Sequence, residues 1–323
     1  MDVTIIGAGL AGITCARALQ TAGHRVVLLD KSRGVGGRIA TRRLHGTHAD
    51  HGFRVWAPQH PGLQALTQEL VTEGILQPWA AGYAAKDGGN AIAKYLAADL
   101  TIRRQHRVIR LEPVGPTWRI WSAVPESKEP QPLDSPHVAL TIPAPQAADL
   151  LEASGYAEIA PLRAVEYAPC VTVMAGYSGA MAGWPAHRQI VSPSDSPLLW
   201  MGLDSSKRDA AAPTVVVMHS TAAFATQTLA TDRNQLQPAA TELIQAAATL
   251  IPGLAIPDWW QVHRWRYAFV TCPCLQPFVL LPKHSAHPLL CGGDWCQPNG
   301  FKHLDAAYQS GLQLAQQLCR QLG

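Results

Sequence analysis

With 323 residues, 47% of them hydrophobic and only 15% charged, the chain is long enough for about two domains and carries fewer charges than the roughly 25% of typical globular chains. That excludes a disordered polymer, and a net charge of +3 is too small to make nucleic acid a natural partner. Cys15, Cys170, Cys272, Cys274, Cys291, Cys296 and Cys319 form an odd, scattered set, which argues against a disulfide framework and for a reducing compartment. Neither Cys272/Cys274 nor Cys291/Cys296 has the two-residue spacing of a zinc or dithiol motif, so no metal is expected and buried free thiols are. No leader pattern opens the chain and no apolar run reaches membrane-spanning length. A cytoplasmic protein without a membrane partner, monomeric or weakly dimeric, is the expectation.

Val3-Thr4-Ile5-Ile6 is a short β-rich run, followed at once by Gly7-Ala8-Gly9-Leu10-Ala11-Gly12. Ile13 to Ala22 reads as a helix, and Arg25 to Leu29 as a second buried strand closing on Asp30. This is a dinucleotide fingerprint in its strand–turn–helix–strand setting. Gly7 makes the tight turn, Gly9 lets a pyrophosphate approach, and Gly12 lets helix and strand pack closely. The helix N-terminus offers N–H groups and a positive dipole end to phosphate. Asp30 is placed to accept the ribose hydroxyls of an adenosine. Lys31-Ser32-Arg33 suits a phosphate-rich ligand, with a solvated face as the plainer account. Gly34-Val35-Gly36-Gly37-Arg38 is then a second glycine loop, a backbone wall for the pyrophosphate with Arg38 as its charge.

Pro61 to Gly74 has the spacing of an amphipathic helix. Tyr83 to Asn90 reads as a loop whose Asn90 caps a helix from Ala91 to Leu100. Val108 to Leu111 and Trp118 to Trp121 predict paired antiparallel strands, Pro125 to Pro136 a proline-rich loop, and His137 to Ile142 a buried strand before a short helix. Cys170–Tyr177, Gln189–Val191, Leu198–Met201 and Thr214–Met218 predict an antiparallel sheet, with a helix near Pro238–Leu250 packed on it. Trp259 to Ala268, alternating and dense in aromatics, predicts a strand of a second, ligand-facing domain. Near the end, Leu289-Leu290-Cys291 is a last strand, Gly292-Gly293-Asp294 a turn with a carboxylate, and Lys302 to Arg320 an amphipathic helix.

Gly7-x-Gly9-x-x-Gly12 with Asp30, Gly36-Gly37-Arg38, and Gly293-Asp294 before a helix resemble the FAD-binding set of the flavin amine oxidases. Asp30 to Arg38, Gly88 to Leu96, Thr141 to Ala147, Tyr167-Ala168-Pro169-Cys170 and His263 to Ala268 resemble the renalase-like branch of that superfamily. The resemblance runs from Val3 to Leu318 and implies a p-hydroxybenzoate-hydroxylase-like α/β (α+β overall) fold. A Rossmann-type FAD domain (1–60, 88–155 and 284–323) would hold an inserted antiparallel-sheet substrate domain (61–87 and 156–283). It implies non-covalent FAD on Gly7, Gly9, Leu10, Ala11, Gly12, Asp30, Lys31, Arg33, Gly37, Arg38, Val108, Gly293, Asp294, Lys302 and His303. Asp294 would take the ribityl chain, and the helix starting near Lys302 would face the flavin pyrimidine edge. The departures from relatives, Gly88-Gly89-Asn90, His51-Gly52-Phe53-Arg54-Val55-Trp56, Ser205 to Asp209 and the stretch around Phe224-Ala225, fall largely on the substrate side.

The implied activity is oxidation of 2- or 6-dihydro-NAD(P), with a hydride passing to flavin N5 and dioxygen leaving as hydrogen peroxide. Hydride transfer needs no general base, and the sequence offers no triad or carboxylate pair to act as one. Trp265, with His263 and Arg266, is the expected substrate-side wall: an aromatic to stack on a nicotinamide and a cation to favour phosphate. Aromatic packing at a domain interface explains any one of these residues equally well. His48 and His51 read more simply as structural histidines. Another flavin oxidase or dehydrogenase, acting on an amine or a polyene, and a non-catalytic FAD protein stay open.

Overall fold

The computed structural model describes residues 2–179, 182–208, 213–230, 236–281 and 288–322. The expected domain boundary at 283/284 and Asp209 lie outside the described residues. The chain runs β1 (Val3–Ile6), α1 (Leu10–Thr21), β2 (Val26–Asp30), the hairpin β3 (Thr41–Leu44) and β4 (Thr47–Asp50), and α2 (Pro61–Thr72). The hairpin β5 (Leu76–Trp79) and β6 (Gly82–Ala85) follows, then α3 (Asn90–Leu96) and β7 (Thr101–Arg104). Next come β8 (Arg107–Val114), β9 (Thr117–Ala123), β10 (Gln131–Ser135), β11 (His137–Leu140), α4 (Ala144–Ala153) and α5 (Ala160–Arg163). The middle is β12 (Glu166–Tyr177), β13 (Gln189–Val191), β14 (Leu198–Leu203), a 3-10 turn at Asp204–Lys207, β15 (Thr214–Ser220), α6 (Ala222–Ala230), α7 (Leu236–Leu250) and β16 (Trp259–Cys272). The end is β17 (Val279–Leu281), β18 (Leu289–Cys291) and α8 (His303–Leu322).

The first sheet is six-stranded, in the order β17-β18-β11-β1-β2-β7, and parallel except at its β17 edge. Its central strands β1, β2, β11 and β18 are buried on both faces, which is why they read as continuous apolar runs, while the edge strand β7 is mostly exposed. Val3, Ile5 and Leu28 point into one core, shared with Ile13 and Leu19 of α1 and Leu314 and Leu318 of α8. Ile6, Val27 and Leu29 point into another, roofed by Ala147 and Leu151 of α4 and by Leu111, Trp118 and Ile120 of the three-stranded β8–β10 sheet. β10 falls where a proline-rich loop was expected. It is an edge strand that needs little apolar surface, and its Asp134 sits opposite Arg119 of β9, both side chains in an ion pair.

The five-stranded antiparallel sheet, β13-β14-β15-β12-β16, likewise has two faces. Val171, Val173, Val216 and Met218 pack under Leu243, Ile244 and Ala247 of α7. Met174, Trp200, Val215 and Val217 face the other way, onto Leu44, Ala49, Trp79 and Ala84 of the two hairpins. β6 replaces the first part of the loop expected from Tyr83, because Ala84 and Ala85 bury small side chains that carry little strand signal. Of the segment 61–87, Leu63 and Leu70 of α2 pack in the core of the parallel sheet, while Trp79 and Ala84 of the β5–β6 hairpin face the second sheet.

Asn90 is the first residue of α3 rather than its cap, and no side chain of its own helix caps it. Asp50 accepts the Gly89 N–H at 2.8 Å and Thr41 accepts that of Asn90 at 3.0 Å, so β3 and β4 satisfy the helix end from a distance. Asp50 also accepts from Thr41 Oγ1 at 2.7 Å and pairs with Lys207 Nζ at 3.2 Å. Lys207 is 1% exposed and makes a second pair with Asp204 at 2.9 Å; Arg208 closes the group on Asp204 at 2.7 Å. Burial opposes the Lys207 charge, but Asp204 and Asp50 outweigh it and hold the ammonium above its ordinary range.

Removing one member of such a group strands the others in a dry interior. Lys207→Met should cost ~3–5 kcal/mol, a large part of the ~5–15 kcal/mol that holds a typical domain. Urea titration measures it, and Arg119→Ala, which breaks the exposed pair with Asp134, should leave the midpoint nearly unchanged. Equal midpoints for the two variants would show that the buried group carries no such cost.

Candidate active site between the two sheets

The first turn has two kinds of glycine. A Cβ at Gly12 would collide with the Gly7 carbonyl oxygen, and Thr141 Oγ1 donates to that same oxygen at 2.9 Å, so helix, turn and β11 are locked together. A Cβ at Gly9 would meet nothing within 4 Å. Gly9 is therefore bare for a reason other than packing, while its Cα lies against the second glycine loop, 3.3 Å from where a Gly37 Cβ would stand. Gly9 pairs with Gly36, the Gly36 N–H donates to the Ala8 carbonyl at 2.8 Å, and Gly37 lies in the left-handed region at φ +58°. The result is a backbone surface bare of side chains, where the two glycine loops meet at the N-terminus of α1.

Asp30 holds the edge of this surface, accepting from Ala8 N–H and Ser32 N–H at 2.7 Å each. One lone pair on each oxygen is spent on the backbone, and the others are left for hydroxyl donors. Lys31 Nζ donates to Gln146 Oε1 at 3.0 Å, and Arg33 gives its carbonyl to Arg104. Asp30 and Ser32 accept from His106 and Gln105 N–H, which brings the half-buried Val108 to the same end.

Arg38 and Asp294 were expected on different parts of a cofactor, and the structure also joins them to each other. Arg38 donates from both terminal nitrogens to the two Asp294 oxygens, at 2.8 and 2.5 Å. Arg38 Nη1 also reaches the carbonyls of Tyr267 and Ala268 at 3.3 Å each. Those carbonyls are available because the β12–β16 ladder breaks there: Cys170 pairs with Trp265 and Ala168 with Phe269, leaving Arg266, Tyr267 and Ala268 bulged. Tyr167 Oη donates to Asp294 at 3.4 Å, and burial pushes that phenol well above its usual range.

Ladder register builds the facing wall. Trp200, His219, Thr172 and His263 stand opposite one another across β14, β15, β12 and β16, on one face. Trp265 is two residues on from His263, so it shares that face, while Arg266 lies in the bulge and is exposed. The structure thus brings Trp265 and His263 together and leaves Arg266 apart. His51 completes the wall: its ring stacks on Trp265 at 5.3 Å, meets His263 edge-on at 4.8 Å, and its carbonyl accepts the Trp265 indole N–H at 2.9 Å. Burial, then His263 and Arg42, lower His51 to about 3; burial, then Arg42 and Arg264, lower His263 to about 4. Both imidazoles are neutral at physiological pH.

Sequence reading missed Arg54. Its Nε donates to His219 Nδ1 at 3.2 Å, and its guanidinium lies 5.1 Å over the Trp200 ring and 5.8 Å from that of Phe269. Among the described residues it has no carboxylate partner, and burial lowers its pKa. His303, at φ +53°, starts α8 and meets Phe269 edge-on at 5.9 Å. Lys302 is exposed, and Asp305 of the same first turn accepts the Gln59 and His60 N–H groups. Buried atoms of His51 (Nδ1), Arg54 (Nη2), Thr172 (Oγ1) and His219 (Nε2) find no hydrogen-bond partner among the described residues, and all lie on these facing surfaces. The bare backbone at Gly9 and this orphaned polar set fit an extended ligand with a phosphate end and a flat polar end. Among the described residues there is no group of three metal-ligating side chains, and no helix is long and apolar enough to cross a membrane.

A family model described as an NAD(P)-binding Rossmann-like domain matches residues 5–70, and one described as flavin containing amine oxidoreductase matches residues 72–319, more than half of the chain. The chain is 27% identical to renalase of Mus musculus over 336 residues, which cover 93% of each protein. Its fold is similar to that of cyclohexylamine oxidase from Brevibacterium oxydans IH-35A, with a TM-score of 0.72, 12% identity and 99% of both chains covered. A putrescine oxidase bound to putrescine superimposes as well, with the same TM-score of 0.72 and 12% identity over 99% of both chains.

Two outcomes follow from this geometry. Gly9→Ala should fold with wild-type thermal stability yet retain several-fold less FAD on purification, whereas Gly12→Ala should lose stability itself. Absorbance of the purified proteins and thermal melts separate the two effects, and full flavin content in Gly9→Ala would remove this phosphate site. The second concerns His51. Because its folded pKa is about 3 against an ordinary 6.5, the unfolded chain binds a proton in that window that the folded chain refuses. Stability should fall on acidification below about pH 6.5, by up to ~1.4 kcal/mol per pH unit from this group. Denaturation at pH 7 and pH 5 should show the loss, and His51→Gln should flatten it.

Proposed function

We propose, since the chain belongs to the flavin-containing amine oxidoreductase family and is one of its renalase-like members, that it oxidises 2- or 6-dihydronicotinamide dinucleotides to NAD(P)+, with dioxygen as final acceptor and hydrogen peroxide as product. Its cofactor is non-covalent FAD. Bound flavin supplies the hydride-accepting N5. The backbone of Gly7, Gly9, Leu10, Ala11 and Gly12, with Gly37 opposite, holds the pyrophosphate. Asp30 takes the adenosine ribose, with Lys31, Arg33 and Val108 around the adenosine end. Arg38, Gly293 and Asp294 hold the middle of the cofactor, and Lys302 and His303 the start of α8 beside its ring end.

The observation that carries the substrate reading is the wall of neutral rings flanked by cations. His51 and Trp265 stack and His263 meets both edge-on, an uncharged aromatic wall, and Arg42 contacts His263 while Arg54 stands half-buried with no carboxylate partner among the described residues. An ammonium substrate would meet two like charges there, and a long polyene would leave the orphaned polar atoms unsatisfied. A neutral dihydronicotinamide carrying phosphates suits both features. None of the three rings needs to move a proton, since a hydride leaves with its electron pair. Trp265 orients the ring, and its indole N–H, spent on the His51 carbonyl, fixes it in place.

Anaerobic mixing with 2-, 4- and 6-dihydro-NAD(P) and with amines tests the reading. Rapid flavin bleaching by the 2- or 6-isomers alone is expected, and bleaching only by amines would replace it with an amine oxidase. Trp265→Ala should lower kcat/KM about tenfold, the worth of one stacked contact of ~1.4 kcal/mol.

A further inference from the structure

Cys274 and Cys296 come from different parts of the fold, one just past the end of β16 and one two residues beyond Asp294. The structure runs them side by side as an isolated parallel bridge. The Cys274 N–H donates to the Trp295 carbonyl at 2.9 Å, and the Gln297 N–H donates to the Cys274 carbonyl at 2.8 Å. A rung clamped on both sides in this way sets the two backbones about 4.8 Å apart. That lies within the ~4.4–6.8 Å between Cα atoms that a disulfide spans. On such a rung the two side chains stand on the same face, side by side. Cys274 is half-buried and open to a small oxidant, while Cys296 is buried behind it against Ser310. Both thiols are free in this structure.

We propose that Cys274 and Cys296 are a peroxide-oxidisable pair, Cys274 reacting first and Cys296 resolving it to a disulfide. The Cys274 sulfur attacks one oxygen of hydrogen peroxide; the O–O bond breaks, a sulfenic acid forms and the other oxygen leaves as water. The Cys296 sulfur then attacks the sulfenic sulfur, its own proton leaves with the departing hydroxyl as a second water, and the S–S bond closes. Two thiols and one peroxide thus give one disulfide and two waters. Its neighbour Cys296 lowers Cys274 to about 6 and burial raises Cys296, so Cys274 is the more readily ionised and the better nucleophile of the two. The oxidant is the product of the reaction proposed above, yet the pair is assigned on its own geometry and responds to added peroxide whatever the substrate is. Closing the bond ties the end of β16 covalently to the turn that carries Asp294.

Holoprotein exposed to a small excess of hydrogen peroxide should lose two titratable thiols and the mass of two hydrogens. A peptide map should join the Cys274 and Cys296 peptides, and a dithiol reductant should restore both groups. Cys272→Ser should cross-link as wild type does, and Cys274→Ser, checked for bound flavin, should not. A Cys272–Cys274 bond, or Cys274 carried on to the sulfinic acid with no cross-link, would overturn the proposal.

Discussion

The fold turns on four charges buried together. Asp50, Asp204, Lys207 and Arg208 sit where the hairpins leaving the parallel sheet meet the antiparallel sheet, away from water. Because the group is balanced, each charge is tolerable only while the others are in place. Asp50 reaches further, through Gly89 to the first turn of α3 and through Thr41 back to β3. The position of the glycine loops relative to the second sheet thus depends on carboxylates and an ammonium that are 1–2% exposed and, among the described residues, have only one another and Arg208 for partners in charge. Such a contact is directional where an apolar one is not, and it fixes one arrangement of the two sheets.

A second clasp repeats the idea closer to the site. Arg38 gathers Asp294 from the far end of the chain and the two carbonyls that the β16 bulge releases. The bulge is what permits this, since a regular edge strand would present its carbonyls along its own plane rather than at a guanidinium across the site. Arg38 therefore ties together the glycine loop, the substrate-side strand and the Gly293–Asp294 turn. The Cys274–Cys296 rung lies at the same junction.

What was legible in the sequence was what neighbours in sequence decide. β1, the glycine turn, α1 and β2 announce themselves because glycine spacing and strand periodicity are local, and the later strands do so through their apolar runs. The FAD assignment of the family was readable from short motifs. β10 and β6 were not, being edge or alanine-lined strands with little apolar signal. Asn90 was a reasonable cap on local grounds, and lost to Asp50 and Thr41, which no window around residue 90 contains. Lys207, Arg54 and His219 are invisible for a similar reason: a sequence does not say that a cation is buried, nor what it is buried beside. Trp265 and His263 were picked out as aromatic or basic residues on an alternating strand, but Arg266 was grouped with them because a bulge cannot be seen before the partner strand is known.

The wall of the site is one rung of a ladder, and this sets which kinds of change the chain can absorb. Trp200, His219, Thr172 and His263 are aligned by register, so exchanging one side chain alters one tile of the wall. Adding or removing a single residue in β16 ahead of His263 would turn every later residue to the opposite face, burying Arg264 where His263 and Trp265 now stand. Homologues that keep this wall should therefore vary freely in composition along β16 but hold its length, and accept insertions only beyond the bulge, where register has already been reset.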